Sequence, residues 1–126
     1  GPTGPTGATP ATELIMQLAM PDLLDTLVAD ETVLYRPAPR AFTLTAVKAF
    51  VLSYSVSGQI IINVKLNGVS ILSTRITIEE NEYSSLTAAD QPVIGTSSIP
   101  ADGVLTVDVD SAGYGARGLV VTLIGE

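Results

Sequence analysis

The sequence predicts an all-β fold, a jelly-roll-like antiparallel β-sandwich. Three observations predict it. Short apolar segments alternate inward and outward residues with a period of two. They are separated by Gly, Pro, Asn and Asp turn signals at short intervals. No stretch shows a convincing helical pattern. The chain has 126 residues, 46% of them hydrophobic, enough for one buried core.

Residues 1–10 stand apart from this pattern. Gly1, Gly4 and Gly7 recur every third position, with Pro2 and Pro5 second in their triplets. This is the collagen-like Gly-Xaa-Yaa pattern, in which three polyproline-II strands wind together and only glycine fits at the axis. So short a run also suits a flexible leader, and Gly1-Pro2 also suits a scar of tag removal. The division is therefore a collagen-like stub, 1–10, and a trimeric β-sandwich head, 11–126.

The remaining elements follow in order. Leu14, Met16, Leu18 and Met20 alternate with Glu13, Ile15, Gln17 and Ala19, a strand that Pro21 stops. Residues 21–28 read as an irregular connection with at most one helical turn. Glu31–Arg36 is a second strand, closed by Pro37 and Pro39. Ala41–Ser55 reads as one long strand whose apolar phase switches near Thr45. Phe42 and Leu44 hold one phase, and Val47, Ala49 and Val51 the other, as a β-bulge would produce. Burial on both faces, with Phe50 and Leu52 covered by another subunit, is the compatible alternative.

The strand 59–67 places Ile60, Ile62, Val64 and Leu66 inward, and Gln59, Asn63, Lys65 and Asn67 outward. Asn67-Gly68 suits a type I′ hairpin turn, which needs positive φ at both central residues. The returning strand, 69–78, holds Leu72, Ile76 and Ile78 on one phase. Glu79–Glu82 reads as a solvated turn, and 83–98 as a long loop with one short strand at Val93-Ile94. Pro100–Gly103 is a turn. Leu105, Val107 and Val109 point inward, with Thr106, Asp108 and Asp110 outward. A glycine-rich connection, 111–116, leads to a last strand carried by Leu119, Val121 and Leu123.

Composition narrows the function classes. The formal net charge is −7 with six Lys and Arg, which argues against nucleic acid as a partner. No apolar run is long enough to cross a bilayer as a helix, and no basic-then-apolar leader is visible. The chain has no Cys and no His, which removes thiolate and imidazole chemistry and thiol or imidazole zinc sites. Oxygen ligands for hard cations remain. Apolar residues on outward phases are too many for a solvated sheet: Ile15, Phe50, Leu52, Ile61, Ile71, Val104, Val120 and Ile124. They predict a subunit interface, with Phe50, Leu52, Ile61, Ile71, Val120 and Ile124 as its candidates.

Few residues suggest chemistry. Asp108 and Asp110 share a face, with Asp102 near in sequence, so calcium binding or acid–base work is conceivable. A carboxylate pair on an exposed strand has neither the cleft nor the burial that a glycosidase needs, and a solvated face explains it more simply. No catalytic, metal or cofactor site is expected. Tyr114, flanked by Gly113 and Gly115, is the candidate receptor contact, with Arg117 beside it. An exposed aromatic face suits sugar C–H groups. Packing of Tyr114 on a neighbouring subunit accounts for it equally well, and Tyr54 and Tyr83 are weaker candidates of the same kind.

Ala41–Val47, Leu66–Thr74, Val107–Gly113 and Ala116–Gly125 together resemble the C-terminal β-sandwich domain of bacteriophage tail-fibre and related virion proteins, some of which carry collagen-like repeats. Arg117 stands where that family often has Lys. The resemblance covers about the last two thirds of the chain and implies a homotrimeric fibre head, located in the virion. Such a head would trimerise a collagen-like shaft and attach to a host surface through glycan, without enzymatic activity. It also implies that Asp108 and Asp110 cap free N–H groups of the Gly113 turn. Two alternatives stay open: a bacterial cell-surface or spore-coat collagen-like protein with a head of tumour-necrosis-factor or C1q shape, and a carbohydrate-binding module of an enzyme.

Overall fold

The computed structural model describes residues 12–17, as backbone, and residues 24–126. Gly1, Gly4 and Gly7, with the whole collagen-like stub, lie outside the described residues. Among the described residues eleven strands follow one another: β1 Thr12–Gln17, β2 Glu31–Pro37, β3 Phe42–Phe50, β4 Ile60–Leu66, β5 Val69–Ser70, β6 Leu72–Thr74, β7 Ile76–Ile78, β8 Val93–Ile94, β9 Ser98–Ile99, β10 Val104–Ala112 and β11 Val120–Gly125.

They form two main antiparallel sheets. The first has the order β1-β11-β3-β9; the second has the order β2-β10-β4-β5, with β7 also paired to β4. A small third pairing joins β6 to β8. β1 to β4 alternate between the sheets, and on the return β10 joins the second sheet and β11 the first, so first and last strands are neighbours, as are second and second-last. That is jelly-roll order. Inward side chains from both sheets, among them Leu44, Val47, Val121 and Leu123 against Ile62, Val64, Leu105 and Val107, make one core.

The phase switch in β3 is a bulge. Ile124 pairs with Ala46 but Gly125 with Leu44, which leaves Thr45 as the extra residue. The burial pattern inverts there, with Phe42 and Leu44 buried before it and Val47 and Ala49 after. The Thr45 hydroxyl donates to the Ile124 carbonyl at 3.1 Å, satisfying an acceptor at the irregular step. The turn between β4 and β5 has Asn67 at φ 50° and Gly68 at φ 87°, the two positive values a type I′ turn requires.

Several expectations are corrected. β3 ends at Phe50, not Ser55. Beyond it the backbone bonds to other loops, Val51 N–H to the Tyr83 carbonyl at 2.9 Å and Leu52 N–H to the Arg117 carbonyl at 2.8 Å. Asn63 is buried rather than outward, and its side-chain oxygen accepts the Ser70 hydroxyl at 2.9 Å. The returning strand is broken into β5, β6 and β7. At the break Ile71 donates to the Val64 carbonyl, while its own carbonyl accepts Gly95 and Thr96 N–H groups. The chain kinks, Ile71 and Leu72 are both buried, and Ile71 (2% exposed) joins the core. It therefore offers no surface to another subunit. The segment 83–98 holds β8 as expected, but also a 3₁₀ turn at Ser85–Thr87 and the start of β9.

The topology gives the sandwich two distinct ends. At one lie residues 38–41, the 67–68 and 100–103 turns and Glu126, with Thr12 opposite Gly125. Hydrogen bonds tie this end together, Ala38 N–H to the Gly103 carbonyl (2.8 Å) and Thr43 N–H to the Glu126 carbonyl (2.8 Å) among them. At the other end lie the loops 51–59, 79–92 and 113–119, and residues 24–30.

Candidate functional site

The second end is the candidate site. Leu24, Val28, Leu52, Val56, Tyr83, Leu86 and Tyr114 are exposed there. Among the described residues, the other large apolar side chains so exposed are only Tyr35, Val69 and Val93. A surface hydrophobe alone means little; here seven of the ten large ones exposed among the described residues lie at one end.

The loops are held by a buried hub. Ser55 is fully buried; its hydroxyl donates to the Gly58 carbonyl (2.8 Å) and accepts the Tyr114 N–H at 3.0 Å. The Tyr114 carbonyl accepts Val56 N–H at 3.0 Å. Both backbone polar groups of Tyr114 are thus fixed while its side chain is 72% exposed. An aromatic ring on a pinned backbone loses little conformational entropy when it meets a partner. Arg117 is also exposed, with its backbone bridged to Thr26 and Ser53. Tyr54 and Tyr83 form an edge-on pair with centroids 5.0 Å apart.

Acidic residues brace the neighbouring loop. Glu80 accepts the Gly58 N–H at 3.1 Å. Glu79 accepts the Gln59 amide (2.7 Å) and the Ala89 N–H (3.2 Å), and these two donors hold its carboxyl below the usual range against slight desolvation. The turn read as simply solvated therefore organises 79–92.

The interface candidates do not share one face. Phe50, Val120 and Ile124 lie together on the outer face of the first sheet, with Val120 opposite Phe50 and Ile124 opposite Ala46. Ile61 is half-buried on the second sheet, opposite Thr77 and Ser111. There it lines an open groove of about 460 Å³ with Gln59, Arg75 and Asp90. Leu52 belongs to the loop end, and Ile71 to the core.

The aspartates are engaged elsewhere than the resemblance implies. Asp108 takes the Lys65 ammonium at 2.7 Å and the Thr32 hydroxyl at 2.7 Å. Asp110 lies 3.1 Å from the Arg75 guanidinium, without hydrogen-bond alignment at its Oδ2. Asp102 sits in the 100–103 turn at the far end, at φ 64°. Of the N–H groups in the Gly113 turn that they were expected to cap, that of Tyr114 is taken by Ser55. Among the described residues no group of three acidic side chains could hold a metal ion.

Burial would raise the Asp108 carboxyl, but the hydrogen bonds from Lys65 and Thr32 and the charge of Lys65 outweigh it and hold it below its ordinary value. A lowered folded-state value contributes stability above the unfolded value of about 3.9, and loses it as acid titrates the folded group. Asp108→Asn should therefore cost about 1 kcal/mol at pH 7 in urea unfolding, with the gap to wild type closing near pH 2. An equal gap at both pH values would contradict this account of Asp108.

Sequence reasoning singled out Tyr114 and Arg117, which are exposed at this end, but passed over Ser55, which looked like a strand end, and Val56 and Leu86, whose exposure depends on where three distant loops meet. Among the described residues no helix is long and apolar enough to cross a membrane. Compared with known proteins, the chain matches no family model, no curated protein and no solved structure.

Proposed function

We propose that this chain is the head of a virion fibre, a homotrimer that closes a collagen-like shaft and attaches to a host surface through glycan. One observation carries the reading. The chain enters the sandwich at Thr12, at one end, and exposed Tyr83 and Tyr114 gather with the exposed leucines at the other. Shaft and contact surface are opposed, as an appendage that reaches outward requires. A head that associates first also removes the slow alignment of three collagen strands.

The role is binding and assembly rather than catalysis. Asp108 and Asp110 are both committed to ion pairs on a sheet face. The jelly-roll order suits the bacterial-surface alternative as well, since a head of that shape shares the architecture.

The test is binding of labelled protein to glycan arrays and to bacterial cells. Wild type should bind, and Tyr114→Ala should bind at least tenfold more weakly with unchanged circular dichroism. Absence of wild-type binding to glycan and cells would contradict the attachment role; undiminished binding by Tyr114→Ala would move the contact away from this loop.

A further inference from the structure

We propose that the outer face of the β1-β11-β3-β9 sheet is the surface on which three copies of this chain pack, in parallel, with their 113–119 loops at a common far end. The inference rests on the reading of residues 1–10 as a three-chain shaft and names the face that this shaft brings together.

The two outer faces of the sandwich differ in chemistry. On the second sheet, Thr32, Thr106, Asp108 and Lys65 are neighbours, joined by a hydroxyl–carboxylate bond and an ion pair. That is a solvated antiparallel face. On the first sheet, Val120 faces Phe50 and Ile124 faces Ala46, with only the Thr122–Lys48 pair between. Lys48 is the sole charged residue in β3 and β11, and its ammonium lies 5.9 Å from the centre of the Phe50 ring. Phe50, Val120 and Ile124 keep part of their surface and Ala46 is exposed. β1 adds Glu13 opposite Ile124, Ile15 opposite Thr122 and Gln17 opposite Val120, so the four strands of this sheet hold one Lys and one Glu per copy and add nothing to the net charge of −7 that opposes self-association.

The occupant follows from the tether. β1 is an edge strand of this sheet, and its first residue, Thr12, pairs with Gly125 of β11. Five residues of chain lead from Gly7 to Thr12 and span at most about 17 Å. The glycines of a three-chain helix sit at its axis. Each β1–β11 corner is therefore held within about 17 Å of that axis. The second sheet lies about 10 Å farther across the sandwich. Three copies so tethered crowd their first sheets together. Because every copy is joined at the same end, the packing is parallel and its interfaces head-to-tail around a threefold axis.

The cysteine-free chain permits clean probes on the full 126 residues. In light scattering, wild type should have the mass of three chains. Ile124→Asp should shift it towards one chain while keeping the β circular dichroism, and Thr106→Asp should leave it at three. Should Ile124→Asp not fold, thiol labelling decides. Ala46→Cys should react with maleimide at least tenfold more slowly than Tyr35→Cys on the other sheet. A trimeric wild type in which Ala46→Cys labels as fast as Tyr35→Cys would overturn the face and leave the shaft reading intact. A monomeric wild type would overturn both.

Discussion

Gly113→Val should destabilise the domain by about 3 kcal/mol or more and abolish the ordered presentation of Tyr114. Gly113 has φ +61°, a conformation a β-branched residue adopts only under strain. Space is the larger problem. A Cβ at Gly113 would collide with the Ser55 hydroxyl and lie 2.7 Å from Ser55 Cβ and 2.9 Å from the Gly58 carbonyl. None of these can retreat freely, because Ser55 is fully buried and its carbonyl already accepts Asn81 N–H at 2.8 Å. Valine therefore displaces the hub that joins three loops.

Gly115 provides the control, since it has φ +84° but no atom within 4 Å of an added Cβ. Gly115→Ala should cost only the backbone term, roughly 1 kcal/mol. Urea unfolding of both variants separates the two causes. Equal effects would mean that backbone conformation alone, and not contact with Ser55, shapes the loop.

Ile62→Ala should lower stability by about 3 kcal/mol and the melting temperature by roughly 10 °C. Ile62 is fully buried in β4, paired to Val109 on one side and Ile76 on the other. Aromatic residues are scarce in this core, so branched aliphatic side chains fill it. The backbone around Ile62 is held by ladders on both sides and cannot collapse onto a void, which places the substitution well within the costly range for buried aliphatic truncation. Calorimetry gives the measurement; a fall of less than about 3 °C would show that the site relaxes.

Ile62 also illustrates what was legible beforehand. It was readable because Ile60, Ile62, Val64 and Leu66 keep one period along β4, as Leu105, Val107 and Val109 do along β10 before its register shifts at Ser111. Thr45 was readable because a bulge leaves its trace in the local phase of Phe42, Leu44, Val47 and Ala49. Ile71 was not, because the kink there is made with Val64, Gly95 and Thr96, partners distant in the chain. Asn63 failed for the same reason: an outward position was covered when β5 folded back and brought Ser70 onto it. At the loop end, Tyr114 drew notice through its flanking glycines. Ser55, which fixes it, carries no local mark, since its role exists only once 51–59 and 113–119 meet.

The central claim is that this sandwich is the unit that counts three chains. It is tested most directly by the mass of the full protein in light scattering across micromolar concentrations. The account predicts a constant mass close to three times 13.0 kDa. A mass of 13.0 kDa throughout that range would contradict it.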